Sequence, residues 1–146
     1  MKKLFMLLIS IVMGSSIFAS CDDNEKFISY EDLPVGAKQF ITNNFGSDNI
    51  LTVEYDRDIK GAEYEVKFNN GAEVNFDKNG NWDEISVPSG INPDLVPEKV
   101  QTYVKAHHPH ALIVSMDKDK REFDVDLNSG LELVFDTNYD FIRYEN

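Results

Sequence analysis

Two short segments of the sequence carry oxygen-bearing side chains at alternate positions, the pattern from which many calcium loops are built. The candidate ligands are Asp77, Asn79, Asn81 and Asp83 in the first segment, and Asp136, Asn138 and Asp140 in the second. An EF-hand loop would need glycine at its sixth position and glutamate at its twelfth, whereas here Gly80 is fourth and Pro88 is twelfth. The same residues also suit a β-hairpin turn, because Asn and Gly tolerate left-handed backbone and Asp accepts local amide hydrogen bonds. The two interpretations, a calcium site and a simple turn, both stay open.

A second group of charged residues alternates with apolar ones along segments that have the period of β-strands. Residues 64–68 and 123–127 alternate strictly, and residues 72–76 and 131–135 do so except at Val134. Alternation places the charged side chains on one face of a sheet, where the candidate binding residues are Glu65, Lys67, Glu73, Asp124, Asp126 and Glu132. This acidic face is either an ordinary solvated surface or a binding surface for a cationic partner that relieves the repulsion between carboxylates.

The sequence contains no motif typical of an enzyme. It lacks Gly-x-Ser-x-Gly, His-Glu-x-x-His and a glycine-rich phosphate loop. His107, His108 and His110 form the one histidine cluster, but no further zinc or copper ligand can be assigned, and histidine is favourable at the end of a helix. We therefore predict a protein that is not an enzyme and has no cofactor. Calcium is the one candidate for a bound ion.

The N-terminus has the features of a lipoprotein signal peptide at residues 1–20. Two lysines precede an apolar run, and small residues lead to Cys21, the only cysteine in the chain. Phe18 to Cys21 resembles a bacterial lipobox, although Phe18 stands where leucine is usual, so Cys21 is the predicted lipidation site. Residues 21–30 form a predicted acidic tether. This run resembles the surface-export signal of some Gram-negative lipoproteins, whereas in other lineages an Asp after the cysteine retains the protein at the inner membrane.

Charge limits the classes of partner. Removal of residues 1–20, which carry two lysines and no acidic residue, changes the formal charge of −12 to −14. Such a chain is not suited to nucleic acid or to anionic lipid headgroups, both of which require clustered Lys and Arg. We expect an unidentified basic protein or peptide, or a cation, as the partner. Contact with the membrane would be made through the lipid anchor alone, on the periplasmic face or the cell surface of the outer membrane.

The second half of the chain repeats the first, and this organisation must position the charged residues. Residues 64–84 align with residues 123–143 at an offset of 59, with identities that include Val66/Val125, Asn69/Asn128, Gly71/Gly130, Phe76/Phe135 and Asp77/Asp136. Upstream, an offset of 63 aligns two helical segments that start near Asp32 and Asp94, with an early proline in each. The boundaries 31–88 and 89–146 follow, and the two units together form one compact domain because each alone is too small to be stable.

With its lipobox, two helix-plus-four-strand units and Asn-x-Gly hairpins, the chain resembles the PepSY-like exported proteins, whose fold is similar to that of the β-lactamase inhibitor protein. The resemblance implies an α+β, two-layer domain with both helices on one face of an antiparallel sheet and the other face open. It implies no enzymatic activity but an envelope binding protein, from a family in which some members are suspected of responding to calcium. The predicted function is thus an exported lipoprotein that presents its acidic sheet face to a protein, peptide or cation. A protease-inhibitor or chaperone-like role is the alternative.

Overall fold

The structure, a computed structural model, describes residues 25–58 and 61–145, and it has two helices and a nine-stranded antiparallel sheet. The helices are α1 (Val35–Asn44) and α2 (Glu98–His107). The strands are β1 (Glu25–Phe27), β2 (Ile50–Asp58), β3 (Gly61–Phe68), β4 (Glu73–Asp77), β5 (Trp82–Ser86), β6 (Ile113–Lys118), β7 (Glu122–Leu127), β8 (Glu132–Asp136) and β9 (Phe141–Glu145). Single turns of 3-10 helix are formed by Tyr30–Asp32, Ser47–Asn49 and Pro93–Leu95. The predicted α+β class is confirmed.

The strands lie in the sheet in the same order as in the sequence, and every neighbouring pair is antiparallel. Residues directly opposite one another share a face, so the register identifies which side chains are buried together. One buried row crosses seven strands from β2 to β8 and consists of Val53, Val66, Val74, Ile85, Met116, Val125 and Leu133. This row is the centre of the core.

Both helices pack on the face that carries the buried row. Phe40 of α1 meets Phe76 edge to face at a centroid distance of 5.8 Å, and Tyr103 of α2 meets Phe135 in the same way at 5.6 Å. Phe76 lies two residues from Val74 and Phe135 two residues from Leu133, hence on the same face of the sheet. Neither of the two helices in the described part of the chain lies on the opposite face. Among the residues that the structure describes, none belongs to a helix long and apolar enough to cross a membrane.

Each helix begins a few residues later than the sequence indicates. The expected N-cap of the first helix, Asp32, instead accepts a hydrogen bond from the Ser29 backbone N–H at 3.2 Å within a 3-10 turn. The reason is Pro34, since the residue before a proline is driven out of the helical region, and Leu33 is extended with ψ of 148°. Val96, which precedes Pro97, is extended in the same way and delays the second helix.

The N-terminal part of the described chain belongs to the sheet. Strand β1 pairs with β2, and the Ile28 N–H donates to the Val53 carbonyl at 3.0 Å. The sequence predicted a tether through residue 30, so the structure places its last six residues against the domain. Three residues are too few to show an alternating pattern, which explains why no strand was predicted there. The signal peptide, Cys21 and the acidic run at residues 22–24 lie outside the described residues.

Candidate functional site

The open face of the sheet collects acidic side chains from most of its strands. One row crosses it from β2 to β9 through Glu54, Glu65, Asn75, Glu84, Asp117, Asp124, Val134 and Arg143. A neighbouring row contains Lys67, Glu73, Ser86, Ser115, Asp126, Glu132 and Glu145. The six predicted binding residues therefore lie on one face, in two adjacent rows. We call the set Glu65, Glu73, Glu84, Asp117, Asp124, Asp126 and Glu132 the acidic face.

Two members of this face, Glu84 and Asp117, were not predicted from the sequence. They are opposite one another where β5 pairs with β6, the contact that joins the two halves of the sheet. The register of β5 shifts between the Asn75/Glu84 and Phe76/Trp82 pairs, and a bulge of this kind hides the alternation that would identify a face. Strand β6 also has a register shift, between Ile113 and Ser115. The alternation of Ser115, Met116 and Asp117 was the available signal, but it is short.

Basic side chains neutralise the two sides of the open face. Near one side, the Lys67 ammonium lies 2.7 Å from Glu65 and 3.3 Å from Glu54. At the other, the Arg143 guanidinium donates to both oxygens of Glu122, at 2.7 and 3.0 Å. Within strands β4 to β8, no lysine or arginine lies on this face, because Lys118 pairs with Phe123 of the buried face. The negative charge is thus concentrated in the middle.

Arg143 also accounts for an apolar residue on the polar side of the sheet. Val134, the residue that interrupts the alternation in the sequence, is only 1% exposed although it lies on the open face. Arg143 of β9 must extend across β8 to reach Glu122 of β7, and it also contacts Glu145 at 2.7 Å. The methylenes and guanidinium of such a side chain cover apolar surface well, which explains the burial of Val134.

The central carboxyl groups have raised pKa values. Burial, followed by the charge of Asp117, raises the pKa of Glu84 to about 7. Burial, followed by the charges of Glu132 and Asp117, raises the pKa of Asp124 to about 7. The pKa of Glu132 is raised by burial and by Asp126. Near neutral pH the centre of the face is therefore a set of carboxyl groups that resist ionising together.

Two oxygens in the same row lack hydrogen bonds. The Asn75 side chain donates to Glu84 at 3.0 Å, but its own Oδ1 is buried and accepts nothing within the part of the chain that the structure describes. The Oδ1 of Asp124 is in the same condition. Buried polar atoms are normally hydrogen-bonded, so these acceptors favour a partner that brings N–H donors.

The candidate calcium ligands lie at two turns, where the carboxylates of Asp77 and Asp136 accept hydrogen bonds from backbone N–H groups. Asp77 Oδ1 accepts from the N–H groups of Asn79 at 2.8 Å and Asn81 at 2.9 Å. Asp136 Oδ1 accepts equivalently from Asn138 at 2.8 Å and Asp140 at 2.9 Å. These are the bonds of the turn interpretation. Burial alone would raise the pKa of Asp77, but the hydrogen bonds from Asn81 and Asn79 lower it.

Two of the remaining candidate ligands, Asp140 and Asp83, have distinct surroundings. The Asp140 carboxylate pairs with Lys99 at 2.8 Å, and burial raises the pKa of Asp83. Residues 25–58 and 61–145 contain no group of three or more His, Cys, Asp or Glu side chains arranged to hold a metal ion. Two of the clustered histidines also have different partners, since His107 contacts the Tyr103 carbonyl and His108 contacts the Tyr144 hydroxyl. Calcium binding at residues 77–83 and 136–140 stays a prediction.

Comparison with known proteins gives a family and a fold. Residues 62–143 match the PepSY-like family, described as beta-lactamase-inhibitor-like. A solved structure from Bacteroides thetaiotaomicron, described as a candidate calcium-regulated periplasmic protein, is 33% identical, has a TM-score of 0.80, and covers 85% of this chain and 98% of its own. A candidate periplasmic protein of the DUF2874 family from Bacteroides vulgatus is 29% identical, with a TM-score of 0.80 and coverage of 86% and 99%.

Another candidate periplasmic protein from Bacteroides vulgatus, of unknown function, has a TM-score of 0.79 and covers 84% of this chain and 99% of its own. At 23% identity, this similarity shows the fold alone. A search of curated proteins finds no match to the chain.

Proposed function

The chain belongs to the PepSY-like family, and from this premise we propose that it is a non-enzymatic envelope lipoprotein whose acidic face binds a basic peptide or protein segment. The observation that carries the proposal is the uninterrupted acidic centre of the open face. Glu84, Asp117 and Asp124 are consecutive cross-strand neighbours there. Like charges directly opposite one another destabilise a sheet, so this arrangement costs stability in the free protein. A cationic partner would remove that cost.

A basic segment suits this geometry better than a single cation does. Neighbouring strands are separated by about 4.8 Å, so three successive carboxyl groups span about 10 Å. That distance fits several Lys or Arg side chains on an extended segment rather than one ion in a closed shell. The unbonded Oδ1 atoms of Asn75 and Asp124 would also accept N–H groups from such side chains. We therefore favour a peptide or protein over calcium at this face.

The open position of Glu84 and Asp124 supports a binding role rather than catalysis. The raised pKa values of Glu84 and Asp124 are of the kind that general acids have. However, the two residues lie on the sheet face that neither α1 nor α2 covers, whereas acid–base chemistry usually takes place in a cleft that excludes water. The protease-inhibitor or chaperone-like role remains the second candidate. It is favoured only by the family description, and a shared fold is a weak guide to function.

Location and anchoring are part of the proposal. The similar structures from Bacteroides are described as candidate periplasmic proteins, which supports a place in the cell envelope. Cys21, at the end of the predicted signal peptide, would carry the lipid. Calcium responsiveness is proposed only at the turns of Asp77 and Asp136, and it is supported by the description of the Bacteroides thetaiotaomicron protein.

We also infer that residues 31–88 and 89–146 are duplicated units that share one core. Helix α1 is followed by β2–β5 and helix α2 by β6–β9. Phe76 and Phe135, equivalent at the offset of 59, are both fully buried under an aromatic residue of the preceding helix. The duplication would explain the face itself, since each unit contributes an alternating β-hairpin and the pairing of β5 with β6 aligns the two.

A peptide-binding titration tests the main proposal. The probe is a short fluorescent peptide of alternating lysine and serine, measured by anisotropy against the domain that starts after Cys21. We expect saturable binding that weakens with added salt, and a loss of about tenfold, equivalent to about 1.4 kcal/mol, in Glu84→Gln/Asp124→Asn. The matched control is Asp48→Asn/Asp94→Asn, which removes two carboxyl groups from exposed residues outside the sheet and lowers the net negative charge at least as much.

The outcome separates site-specific from general attraction. If the control variant loses as much affinity as the variant of the acidic face, net charge alone explains the binding and the proposal fails. An absence of binding at low salt would contradict it directly. A peptide of the same composition with its lysines in one block should bind more weakly, because its side chains do not project to one side of an extended segment.

A further inference from the structure

A shallow pocket of about 670 Å³, widely open to solvent, lies away from the acidic face, where helix α2 begins. It opens between that helix and the turn that joins β8 to β9, and it reaches the first half of the sheet at β5. Its principal lining residues are Trp82, Leu95, Pro97, Lys99, Lys118 and Tyr139. The pocket is large enough for a small organic molecule.

The corresponding place in the first half of the chain is closed by a glycine. Gly80 has a φ of +83° and fits directly against the start of α1. A Cβ atom at Gly80 would lie 2.7 Å from the Ala37 backbone nitrogen and 2.9 Å from Pro34 Cβ, closer than carbon atoms can approach. Only glycine permits this contact, so the first turn leaves no room beside its helix.

Tyr139 occupies the position equivalent to Gly80 at the offset of 59. It keeps the left-handed backbone, with a φ of 63°, and is the one residue other than glycine with positive φ among those that the structure describes. Its ring leans edge to face on Phe123 at a centroid distance of 5.1 Å. A tyrosine cannot approach α2 as Gly80 approaches α1, which explains the open pocket. Strained backbone of this kind is typical of functional sites.

The chemistry of the lining selects a ligand class. The Lys118 ammonium is half-buried and lies 3.8 Å from the centre of the Trp82 indole ring. Leu95, Pro97 and Tyr139 provide apolar surface beside it. Burial lowers the pKa of Lys118, and the charges of the nearby Asp83 and Asp77 oppose that shift. The acidic residues of the lining itself, Asp94 and Glu98, are exposed and therefore screened by water. A half-buried cation next to apolar surface favours a molecule that joins an anion to an apolar body.

We infer that this pocket binds a small carboxylate with an aromatic body, whose carboxylate pairs with Lys118 and whose ring lies against Tyr139 and Leu95. The site is separate from the acidic face and does not depend on the function proposed there. Binding an anion on a chain with a formal charge of −12 is opposed by the overall field, so any such affinity must come from local contacts.

Trp82 makes the test direct, because it is the only tryptophan of the chain and lies in the pocket. Phenylacetate is titrated while the tryptophan emission is recorded, with uncharged phenylacetamide as the matched ligand. We expect saturable binding of phenylacetate with a Kd on the order of 0.1–1 mM, as suits a ligand of this size. Phenylacetamide should bind at least about tenfold more weakly, since it cannot form the charged pair.

Three variants and a control complete the test. Lys118→Met keeps the contact with the indole but loses the charge, and it should weaken phenylacetate binding about tenfold. Tyr139→Gly should close the pocket and remove binding without lowering the melting temperature. If the glycine variant unfolds, Tyr139→Asn is used in its place, because asparagine tolerates the same left-handed backbone. Lys105→Met, an exposed lysine outside the pocket, is the control and should bind normally. Equal affinity in Lys118→Met, equal binding of the amide, or no saturable change in the wild type would overturn the inference.

Discussion

Replacing Glu84 by glutamine should make the protein more stable at neutral and alkaline pH. The carboxyl group lies opposite Asp117 in the centre of the acidic face, and burial and that neighbouring charge raise its pKa to about 7. A carboxyl group whose pKa is raised by folding stabilises the folded state below its unfolded pKa, and that stability is lost as the pH rises through its folded pKa. Glutamine keeps the oxygen that accepts from Asn75 at 3.0 Å and removes the charge.

The size of the effect follows from the pKa of Glu84. A rise from 4.5 to about 7 corresponds to roughly 3 kcal/mol at about 1.4 kcal/mol for each pKa unit. Glu84 is only partly buried, so screening by water reduces this to about 1–2 kcal/mol. For a domain of this size, the melting temperature of the variant should be higher by roughly 3–8 °C at pH 8. At pH 4, where both side chains are neutral, the two proteins should melt at similar temperatures.

Thermal melts followed by circular dichroism between pH 4 and pH 8 measure this difference. The control is Asp48→Asn, which removes the same charge from an exposed residue of a 3-10 turn. The low-pH loss of stability caused by the lowered pKa values of Asp77 and Asp136 is common to all three proteins and cancels in the comparison. A variant that is less stable than wild type at pH 8, or a control that gains as much, would refute the explanation by local repulsion.

Three further predictions concern the anchor, the core and calcium. Cys21→Ala should release the protein from the membrane fraction into the soluble periplasmic fraction, and unchanged association on fractionation would contradict lipidation. Phe76→Ala and Phe135→Ala should each lower the free energy of unfolding by about 3–5 kcal/mol, with one cooperative denaturant transition; two transitions would indicate independent halves. If the turns bind calcium, millimolar Ca²⁺ should raise the melting temperature, and Asp77→Asn/Asp136→Asn should abolish the rise; an equal rise with NaCl at matched ionic strength would leave them as turns.

The sequence predicted which side chains lie on each face of the sheet, because strands that are paired on both sides keep the alternation of apolar and polar residues. Val66 and Val125 point to the core and Glu65 and Asp124 to the open face, as their sequence pattern indicates. Hydrophobic burial enforces this, since a shift of register by one residue would place every apolar side chain of a strand in water. The sequence therefore predicted most of the acidic face.

Features that depend on a specific tertiary neighbour were not predictable. The sequence does not show that β5 pairs with β6, and so it could not place Glu84 beside Asp117. The burial of Val134 depends on Arg143 reaching across β8, a contact between side chains on three strands. The pocket was missed for a related reason. The aligned pair Gly80/Tyr139 was visible in the sequence, but the tight contact between Gly80 and α1 was not.

Where β5 pairs with β6, the acidic face and the core lie on opposite faces of the sheet. The residue after Glu84 is Ile85 and the residue before Asp117 is Met116, and both of these apolar side chains are fully buried. Their burial contributes about 2 kcal/mol or more each, enough to hold β5 against β6 despite the repulsion on the other side. Because the carboxylates oppose the junction that the core stabilises, sheet stability does not explain their presence. The proposed binding of a cationic segment would explain them, and the proposed site accordingly lies where the two halves of the chain meet.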